Sequence, residues 1–403
     1  MMNKKNILIL PASEWLVPLI KKCKELGHNV YVVNPNIDSP GFEFADGYLL
    51  SDIFDFDRVI QYAKEKHIDA VTSDECDIAM PLIAKIGKVL GLPALSEETA
   101  TIFQDKFAMR DFSKTHGIKY PEYKLCSRAE DAIDLLERIK KPLIIKPLDN
   151  CSSRGVYKVS SAEEVQEHFE DSLSFSHFHK AVLAERFING TEFTIDTVKT
   201  PSNNYTLAIS EKKHFKHNSN IANELLFSHY NPNYDYNKLR AINDNYIMQS
   251  GLEFGFTHAE YKYEDGDFYL IEIGARGGGA MISSCITQYM SGYDTYRYLI
   301  ECALGNIHDE DFSIRPEYKD RAAVLKFFET PGGGGTVRKI DGLDYLTSEP
   351  DILHYRLNFK IGDTIDAARD DAARIGFYIA CSHDMSKLHN VMDNVEKNFN
   401  IRY

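Results

Sequence analysis

The first 95 residues alternate between short apolar runs and longer segments with helical periodicity. The apolar runs predict strands at 6–11, 29–33 and 68–72. The periodic segments predict helices at 14–26, 53–66 and 78–90. Strands and helices that alternate at this pitch predict a parallel, doubly wound α/β sheet. The turn after the first strand lacks a Gly-x-Gly-x-x-Gly fingerprint, so no dinucleotide site is expected there.

Beyond residue 95 the apolar positions mark shorter strands that are separated by polar stretches. A strand at 142–147 leads through a loop, 149–155, into a second strand at 156–159. The stretch 212–237 is polar and rich in Asn, His and Tyr, which predicts a long loop over a pocket. These changes of pattern divide the chain into four predicted units: 1–95, 96–180, 181–305 and 306–403, the last being a smaller α+β segment.

The dipeptide Asn189-Gly190 is the strongest hairpin signal in the chain. A two-residue turn there pairs Phe187 with Glu192 and places Glu185 and Glu192 on one face of the hairpin. A carboxylate accepts hydrogen bonds from ribose hydroxyls, and a strand backbone can pair with the edge of an adenine ring. An ordinary hairpin with a solvated acidic face explains the same residues, so both interpretations stay open.

The composition is that of an ordinary globular protein with two or three domains. The chain has 403 residues, of which 43% are hydrophobic and 26% are charged. Its formal net charge of -14 disfavours a nucleic-acid-binding surface or a surface for anionic membranes. The amino-terminal apolar run is too short for a signal peptide, and no stretch is long enough to cross a bilayer. The seven Cys residues lack Cys-x-x-Cys spacing, which favours free thiols and a cytoplasmic protein.

Two neighbouring strand-like runs each carry one carboxylate, Glu260 in the first and Glu272 in the second. A charge inside an apolar run is costly unless it has a partner. A two-residue turn at Asp265-Gly266 points the two glutamates to opposite faces, whereas a three-residue turn, 264–266, places His258 opposite Glu272. Glu260 then lies on the diagonal of the same face. We predict this second register, or a bulge with the same parity, because two carboxylates on one face suit a hard divalent cation. Solvated acids on a surface hairpin are the alternative for either glutamate alone.

Positive charges that suit phosphate follow two of the predicted strands. Lys146 ends the strand at 142–147 and precedes a loop of small residues with one Arg and one Gly. Lysine supplies a point charge for phosphate, and small residues let backbone N–H groups approach its oxygens. Arg276 follows the strand that carries Glu272 and precedes a glycine run at 277–279, where the backbone can approach a substrate closely. Taken alone, a lysine at a strand end is more often a surface side chain.

The order of these features along the chain resembles the ATP-grasp superfamily. It is most similar to the carboxylate–amine ligases of that superfamily, which include amino-acid ligases and relatives of carbamoyl phosphate synthetase and biotin carboxylase. The segments that carry the resemblance are Ile145-Lys-Pro147, Glu185-Arg-Phe-Ile-Asn-Gly-Thr-Glu192 and Ile271-Glu-Ile-Gly-Ala-Arg276. The resemblance covers essentially the whole chain. It implies a two-lobed ATP-grasp fold, with the small lobe at 96–180, the large lobe at 181–305 and a lid-like C-terminal segment.

The resemblance also implies which residues bind the nucleotide. Those expected to bind ATP are Lys106, Lys146, Ser152, Ser153, Gly155, Glu185, Arg186, Phe187 and Glu192. Within this set, the two lysines would contact the phosphates, and the loop 151–155 would close over them. The side chain of Glu185 and the backbone through Phe187 would read adenine, and Glu192 would hold the ribose.

A metal and substrate site is implied in the same way. Glu260 and Glu272 would bind Mg²⁺, or Mn²⁺ in its place, beside the phosphates. Arg276 and Lys146 would be the catalytic residues, and Arg276 would stabilise the phosphoryl group or bind the substrate carboxylate. His258 and Gly278 would contact the substrate, although a strand histidine taken alone is more often structural.

Two positions depart from the family pattern. Many members have Asn two residues after the second metal-binding glutamate, where this chain has Gly274. Water or a backbone carbonyl would replace that ligand, or one metal would bind weakly. In the loop 151–155, Cys151 and the two serines stand where the family often has glycine, which stiffens the loop slightly.

The implied function is that of an ATP-dependent carboxylate–amine ligase. Such an enzyme forms an amide or peptide bond through an acyl phosphate and releases ADP and phosphate. Its partners would be a small carboxylate and a small amine, with neither nucleic acid nor membrane, and a homodimer is a family-level expectation. One alternative is an ATP-grasp kinase or an enzyme that forms carboxy-phosphate or carbamoyl phosphate. Another is a catalytically weak ATP-binding regulatory module, which Gly274 favours and the retained Lys146 and Arg276 disfavour.

Overall fold

The computed structural model describes residues 4–148, 154–176 and 180–403. The strands are β1 Asn6–Ile9, β2 Asn29–Asn34, β3 Gly47–Leu50, β4 Ala70–Thr72, β5 Tyr123–Cys126, β6 Leu143–Pro147, β7 Tyr157–Val159, β8 Val182–Arg186, β9 Thr191–Lys199, β10 Asn204–Phe215, β11 Asn218–Ser228, β12 Gly255–Glu264, β13 Asp267–Gly274, β14 Ala322–Phe327, β15 Gly334–Thr336, β16 Lys339–Asp341, β17 Ile352–Leu357, β18 Thr364–Asp366, β19 Gly376–Ser382 and β20 Asn400–Arg402. The helices are α1 Val17–Glu25, α2 Phe56–Glu65, α3 Met80–Leu90, α4 Glu97–Gln104, α5 Lys106–Thr115, α6 Ala129–Ile139, α7 Ala162–Ser174, α8 Tyr236–Gln249, α9 Gln288–Ser291, α10 Thr295–Ala303, α11 Leu343–Ser348 and α12 Met385–Asn398. A π-helix, Ile282–Thr287, leads into α9. Within these described ranges, no helix combines the length and the apolar character needed to cross a membrane.

The N-terminal unit is built on a parallel sheet with the strand order β3-β2-β1-β4. Both faces of β1 are buried, because alternate residues enter two different cores. Ile7 and Ile9 pack with α1, whereas Leu8 packs with α2 and α3. The predicted parallel, doubly wound sheet is confirmed. The sequence pattern did not predict β3, because this edge strand leaves Tyr48 exposed and its apolar run, 48–50, has only three residues.

The second sheet is antiparallel and has the order β5-β8-β6-β7. Its strands follow the N-terminal unit in sequence and precede the large sheet. Helices α6 and α7 cover one of its faces, where Leu135 and Phe169 pack with Leu143 and Ile145. Strand β8 follows residue 180, so this sheet draws its strands from both sides of the predicted division at 180/181. The strand that carries Glu185 therefore belongs to the small sheet.

Asn189-Gly190 is not a hairpin turn, which corrects the sequence-based prediction. Strand β8 pairs with β5 and β6, and β9 pairs with β10 and β12. A strand has only two edges, so β8 and β9 have no free edge with which to pair each other. The dipeptide instead carries the chain from the small sheet to the large one, and the backbone N–H of Asn189 donates to Glu264 Oε1 at 2.7 Å. Glu185 and Glu192 consequently lie on different sheets.

Replacement of Gly190 by Ala is expected to loosen this crossing between the two sheets. A Cβ at residue 190 would lie 1.8 Å from the carbonyl oxygen of Tyr263 in β12, and backbone cannot move aside as a flexible side chain can. We expect the free energy of unfolding to fall by about 1–3 kcal/mol, measured by urea denaturation. The control Asn189→Ala, which shortens an exposed neighbour, should stay within about 0.5 kcal/mol of the parent. Equal losses in the two variants would contradict the steric argument.

The large sheet is antiparallel and has the order β13-β12-β9-β10-β11-β14-β19-β17. Helix α8 covers the end that contains β12 and β13, where Leu239 and Ile247 join the same core as Ile195. At the other end, Leu388 and Val391 of α12 pack under β14 and β19. The C-terminal segment 306–403 thus extends the large sheet by three strands.

The stretch 212–237, predicted as a long loop, instead contains the end of β10, all of β11 and the start of α8. The apolar positions of β11 are interrupted by polar residues such as Asn, so the sequence pattern did not indicate a strand there. Ile221, Leu225 and Phe227 are buried in the core beside the π-helix. Lys212 consequently lies on a strand of the large sheet, which places it beside the candidate site.

Candidate active site

The hairpin of β12 and β13 places Glu260 directly opposite Glu272. The same ladder pairs His258 with Gly274, so the predicted pairing of His258 with Glu272 is wrong. Side chains directly opposite each other on adjacent strands have Cβ atoms about 4.5–5.5 Å apart, close enough for two carboxylates to share one cation. The two glutamates therefore share one face, as a metal site requires.

The turn and a bulge together produce this register. The turn has two residues, Asp265 and Gly266, whose φ values of 52° and 87° are those of a type I′ turn. The predicted three-residue turn is therefore wrong, whereas the stated alternative, a bulge that places both glutamates on one face, is confirmed. Ile271 is an extra residue in β13, located between the Glu260–Glu272 pair and the next pair of the ladder. A two-residue turn alone would point the two glutamates to opposite faces, and the bulge returns them to the same face.

Each of the two glutamates has a lysine partner. Glu260 Oε1 lies 2.8 Å from Lys212 Nζ, and Glu272 Oε1 lies 2.9 Å from Lys106 Nζ. Burial would raise the pKa of each carboxyl group, but the neighbouring positive charges together outweigh burial, and the pKa of both glutamates is lowered. Both carboxylates are therefore ionised at neutral pH, which is the form that binds a cation.

A buried ion-pair cluster lies where the small sheet meets this hairpin. Glu185 Oε2 lies 2.5 Å from Lys146 Nζ, and Glu185 Oε1 accepts a hydrogen bond from Arg110 Nε. Arg110 also donates to the carbonyl oxygen of Ile271, so the cluster joins the small sheet to the strand that carries Glu272. Burial would raise the pKa of Glu185, but Arg110 and Lys146 lower it further than burial raises it. Burial lowers the pKa of Lys146.

Sequence reasoning missed Arg110, although a signal for it exists. Lys106 and Arg110 are four residues apart on α5 and therefore lie on one face of that helix. Both side chains are buried, with 5% and 0% of their surface exposed. Buried cations on one helix face need anionic partners, and the structure supplies them as Glu272 and Glu185.

Glu192 lies in a second cluster, on β9 of the large sheet. Its Oε1 is 2.6 Å from Lys212 Nζ, and its Oε2 is 3.2 Å from His214 Nε2 and 3.6 Å from Lys262 Nζ. Lys212 bridges Glu192 and Glu260, and both carboxylates together raise the pKa of Lys212 against the opposing effect of burial. Lys212 falls at the start of the predicted loop 212–237, yet it lies opposite Glu192 in the ladder of β9 and β10.

The loop after β4 brings three acidic residues from the N-terminal unit to the glycine turn at 277–279. Asp74 Oδ1 accepts a hydrogen bond from the N–H of Gly277 at 2.8 Å, and Glu75 Oε2 accepts one from the N–H of Met281 at 3.1 Å. Asp77 forms a two-pronged pair with Arg276, with distances of 2.9 Å to Nε and 2.6 Å to Nη2. Burial, followed by the charge of Asp74, raises the pKa of Glu75 well above its ordinary value.

These acids were not singled out from the sequence, but their position was informative. Asp74, Glu75 and Asp77 follow the carboxyl end of β4 in a parallel sheet, which is where ligands of open α/β sheets bind. Glu75 also has a φ of 52°, an uncommon conformation for a residue other than glycine. Strained conformations of this kind concentrate at functional sites.

Asp196 joins the glycine turn to His258. Asp196 Oδ1 lies 2.8 Å from His258 Nδ1 and accepts a hydrogen bond from the N–H of Gly278 at 3.1 Å. The two side chains are 2% and 8% exposed, so this contact is held inside the protein. The arrangement fixes the ring of His258 against the turn that follows Arg276.

The effect of a methyl group at Gly278 tests this arrangement. A Cβ there would lie 2.7 Å from Asp196 Oδ1 and 2.8 Å from His258 Nδ1, so it would push the pair apart. We expect Gly278→Ala to lower kcat/KM for ATP-dependent turnover by about 10- to 100-fold, because small displacements at a reacting centre are costly. The matched control is Gly279→Ala, where an added Cβ meets no atom within 4 Å. A Gly278→Ala enzyme as active as the Gly279→Ala control would show that this geometry is dispensable.

The clusters surround one cavity of about 480 Å³. The sequence-predicted residues that line it are Lys106, Lys146, Glu185, Arg186, Phe187, Glu192, His258, Glu260, Glu272 and Arg276. Gly278 lies behind the wall, next to Asp196. Gly155 has a φ of 72° and packs against Phe175, between the lining residues Arg154 and Val156. Ser152 and Ser153 lie outside the described residues.

Gly274 leaves room for an acidic side chain from another unit. A Cβ at residue 274 would lie 2.3 Å from Asp77 Oδ1. The Asp77 carboxylate thus occupies the space where a side chain at position 274 would begin. Because residue 274 has no side chain, the Asp77 carboxylate has room to pair with Arg276.

Family models match two parts of this chain. An ATP-grasp domain matches residues 139–284, and the L-amino acid ligase C-terminal domain 2 matches residues 327–403. The first match contains Lys146, Glu260 and Arg276, and the second contains β17 and β19, two of the three strands that extend the large sheet.

Solved structures and a curated relative are also similar to this chain. The L-amino acid ligase from Bacillus licheniformis has a TM-score of 0.85 and 23% identity, and all of both chains is covered. The biotin carboxylase domain of the Hydrogenobacter thermophilus 2-oxoglutarate carboxylase, solved with MgADP and bicarbonate, has a TM-score of 0.78 and 16% identity, over 99% of this chain and 90% of that one. The alanine–anticapsin ligase of Bacillus subtilis (strain 168) is 30% identical over 143 residues, which cover 33% of this chain and 30% of that protein. The chain spans about half the length of other curated relatives that it matches. The structural likeness establishes the ATP-grasp fold.

Proposed function

We propose that this protein, which carries an ATP-grasp domain followed by an L-amino acid ligase C-terminal domain, is an ATP-dependent ligase that joins a carboxylate to an amine. The product is an amide or peptide bond, and ADP and phosphate are released. The observation that carries the proposal is the facing pair Glu260 and Glu272 on the wall of a cavity that also holds Lys146 and Arg276. This set can hold a metal-bound polyphosphate beside a reacting carboxylate.

The two glutamates fit a Mg²⁺ ion, for which Mn²⁺ can substitute. Mg²⁺ prefers oxygen ligands and is commonly bound by one or two carboxylates together with water and substrate phosphates. Glu260 and Glu272 provide two ionised carboxylates on one face of the sheet. When bound, the ion neutralises charge on the phosphates during transfer. The lysines that now pair with the two glutamates, Lys212 and Lys106, would then be available to phosphate oxygens.

The small sheet and β9 supply the nucleotide contacts that we propose. Lys106 and Lys146 bind phosphate oxygens, and Arg186, Phe187 and the backbone at 185–187 face the base. Because the Glu185 side chain pairs with Lys146 and Arg110, we infer that it orients Lys146 instead of contacting adenine itself. Glu192 accepts hydrogen bonds from the ribose.

The chemistry proceeds in two displacements. An oxygen of the substrate carboxylate attacks the γ-phosphorus of ATP, a new P–O bond forms, and the bond to the departing ADP oxygen breaks. The amine nitrogen then attacks the carbonyl carbon, the C–N bond forms, phosphate leaves, and the nitrogen loses a proton. Arg276, held by Asp77, stabilises the negative charge on the phosphoryl group. No side chain forms a covalent intermediate, so the protein acts through positioning and charge neutralisation.

Hydroxylamine trapping tests the proposal. The protein is incubated with Mg²⁺-ATP and pools of amino acids, small carboxylates and amines, and ADP release is measured with and without hydroxylamine. An acyl phosphate yields a hydroxamate, so hydroxamate formation that depends on ATP and on one carboxylate is the expected result. The same reaction with the corresponding amine should yield an amide.

Other outcomes would replace the proposal with a different function. ADP release with a phosphorylated product but no hydroxamate would indicate a kinase. Bicarbonate-dependent ADP release would indicate a carboxy-phosphate-forming enzyme. Thermal stabilisation by ATP without ADP formation across the whole panel would indicate a binding module that lacks turnover.

A further inference from the structure

The two glutamates that we propose as metal ligands are each paired with an ammonium group of the protein. Lys106 Nζ lies 2.9 Å from Glu272 Oε1, and Lys212 Nζ lies 2.8 Å from Glu260 Oε1. The first lysine belongs to α5 and the second to β10, so two separate elements supply one cation to each carboxylate. The charges of these four side chains cancel, and the protein itself therefore neutralises the facing pair of carboxylates.

Both lysines are largely enclosed together with the carboxylates. The side chain of Lys106 is 6% exposed, and that of Lys212 is 13% exposed. Away from bulk water, attraction within a charge pair and repulsion between like charges are both stronger than at a surface. Burial would lower the pKa of Lys212, but Glu192 and Glu260 raise it above its ordinary value, so this lysine stays charged at neutral pH. A further cation at the same carboxylates must therefore displace the ammonium groups or bind against their repulsion.

A polyphosphate changes this balance because it brings negative charge of its own. Lys106 and Lys212 both line the cavity that we propose for ATP, so phosphate oxygens are within their reach. Charge-assisted hydrogen bonds from ammonium groups to phosphate compete with those to carboxylate. When phosphate oxygens take the ammonium groups, the oxygens of Glu260 and Glu272 are freed for a divalent cation. The two lysines thus have two alternative partners, and a bound nucleotide decides between them.

We propose that Lys106 and Lys212 are built-in counter-cations, which oppose binding of a divalent metal at Glu260 and Glu272 until a nucleotide binds. This proposal rests on the proposed function, because that function assigns the metal to the two glutamates. It adds a coupling through the lysines to the direct contacts between metal and phosphate, and such a coupling is reciprocal. Removal of either lysine should therefore strengthen metal binding in the absence of nucleotide, whereas loss of a residue that binds metal would weaken it.

Lys212 is the better position for a test, because its removal affects one metal-binding carboxylate selectively. Its other partner, Glu192, keeps two neighbours that can carry positive charge, with Oε2 lying 3.2 Å from His214 Nε2 and 3.6 Å from Lys262 Nζ. Burial would raise the pKa of Glu260, and Lys212 makes the largest contribution to lowering it. In Lys212→Met, Glu260 is a partly buried carboxylate that has lost this partner, which destabilises the fold. A divalent cation bound at Glu260 should restore that stability.

The test measures Mn²⁺ binding to the parent and to Lys212→Met, by electron paramagnetic resonance of free Mn²⁺. Without nucleotide, Lys212→Met should bind Mn²⁺ about 10-fold more tightly than the parent, an effect within the usual range for coupled sites. With ADP present the gain should shrink, because the variant has lost a cation that binds phosphate. Mn²⁺ alone should also raise the Tm of Lys212→Met more than it raises the Tm of the parent.

Three further variants sharpen the comparison. Lys213→Met removes the same charge from the next position on β10, where the side chain is 60% exposed and pairs with Glu224. Successive side chains of a strand point to opposite faces, so this control should bind Mn²⁺ as the parent does. Lys106→Met removes the other counter-cation and should show the same gain as Lys212→Met, so the test does not depend on the folding of one variant. Lys212→Arg keeps the charge and should bind Mn²⁺ no more tightly than the parent.

The results distinguish this inference from the proposed function. Equal Mn²⁺ affinities of the parent, Lys212→Met and Lys106→Met without nucleotide would refute the counter-cation role, and Mn²⁺ binding with ADP would still support the metal site. Weaker Mn²⁺ binding by Lys212→Met without nucleotide would refute it as well, and would make the lysine a support for Glu260. The expected gains in a protein that ligates no substrate pair would uphold the counter-cation role and remove the ligase function alone.

Discussion

Glutamine in place of Glu272 is expected to lower kcat/KM for the ATP-dependent reaction by about 10³-fold. A bound divalent cation supplies several kcal/mol of charge stabilisation in phosphoryl transfer, and each factor of ten in rate corresponds to about 1.4 kcal/mol. Glutamine keeps the shape of the side chain but removes the charge that faces Glu260 across the ladder. The same change should weaken binding of Mn²⁺ in the presence of ADP, measured by electron paramagnetic resonance of free Mn²⁺.

Asp265→Asn is the matched control for Glu272→Gln. It removes one negative charge from the same hairpin at an exposed turn residue with a φ of 52°, a conformation that Asn tolerates. Parent-like activity and Mn²⁺ affinity are expected for this control. Glu272→Gln with unchanged Mn²⁺ affinity would mean that the cation binds elsewhere, whatever happens to kcat.

Methionine in place of Arg276 is expected to lower kcat by about 10²- to 10³-fold, the loss typical of removing one group that stabilises developing charge. It should also reduce the free energy of unfolding by about 1–3 kcal/mol, because Asp77 loses both hydrogen bonds of its two-pronged pair. Stopped-flow measurement of ADP formation and urea denaturation measure the two effects separately. The KM for ATP should change less than kcat.

Asp77→Asn separates the catalytic effect of Arg276 from its structural effect. This variant weakens the same pair from the other side while the guanidinium remains next to the phosphate position. We expect a comparable loss of stability but a loss of kcat of about tenfold or less. If both variants lose kcat equally, Arg276 acts only by joining the N-terminal unit to the glycine turn, and its role in phosphoryl transfer is wrong.

The fold of the N-terminal unit was predictable because its local patterns agree with its tertiary structure. The alternation of Ile7, Leu8 and Ile9 into two cores gives the continuous apolar run that is typical of a buried parallel strand. The edge strand β3 has a shorter apolar run, 48–50, and one of its faces is exposed. Prediction failed at Asn189-Gly190 because turn propensity is local, whereas strand pairing depends on which edges other strands have already taken.

The candidate site was only partly predictable for a similar reason. Glu260 and Glu272 face each other only if the register of the hairpin puts both side chains on the same face of the sheet. The sequence leaves two registers possible, and the bulge at Ile271, which decides between them, has no sequence signal of its own. Lys212 and Arg374 reach the cavity through the packing of distant strands, and neither lies in a motif. Ion pairs between residues far apart in sequence, such as Arg276 with Asp77, become visible only when the units are assembled.

The packing at Gly274 links two distant positions in the history of the protein family. An asparagine at position 274 and an aspartate at position 77 compete for one volume, because a Cβ at Gly274 would approach Asp77 Oδ1 to 2.3 Å. Relatives that keep a side-chain ligand at the position of Gly274 should therefore have a smaller residue at the position of Asp77, and the two positions should vary together across an alignment. A lineage that exchanged the asparagine for glycine would have lost a metal ligand and gained a salt bridge that ties its N-terminal unit to the catalytic strand. The contact involves the end of the Asp77 side chain, so a protein with both residues would have to turn that carboxylate away and lose its pairing with Arg276.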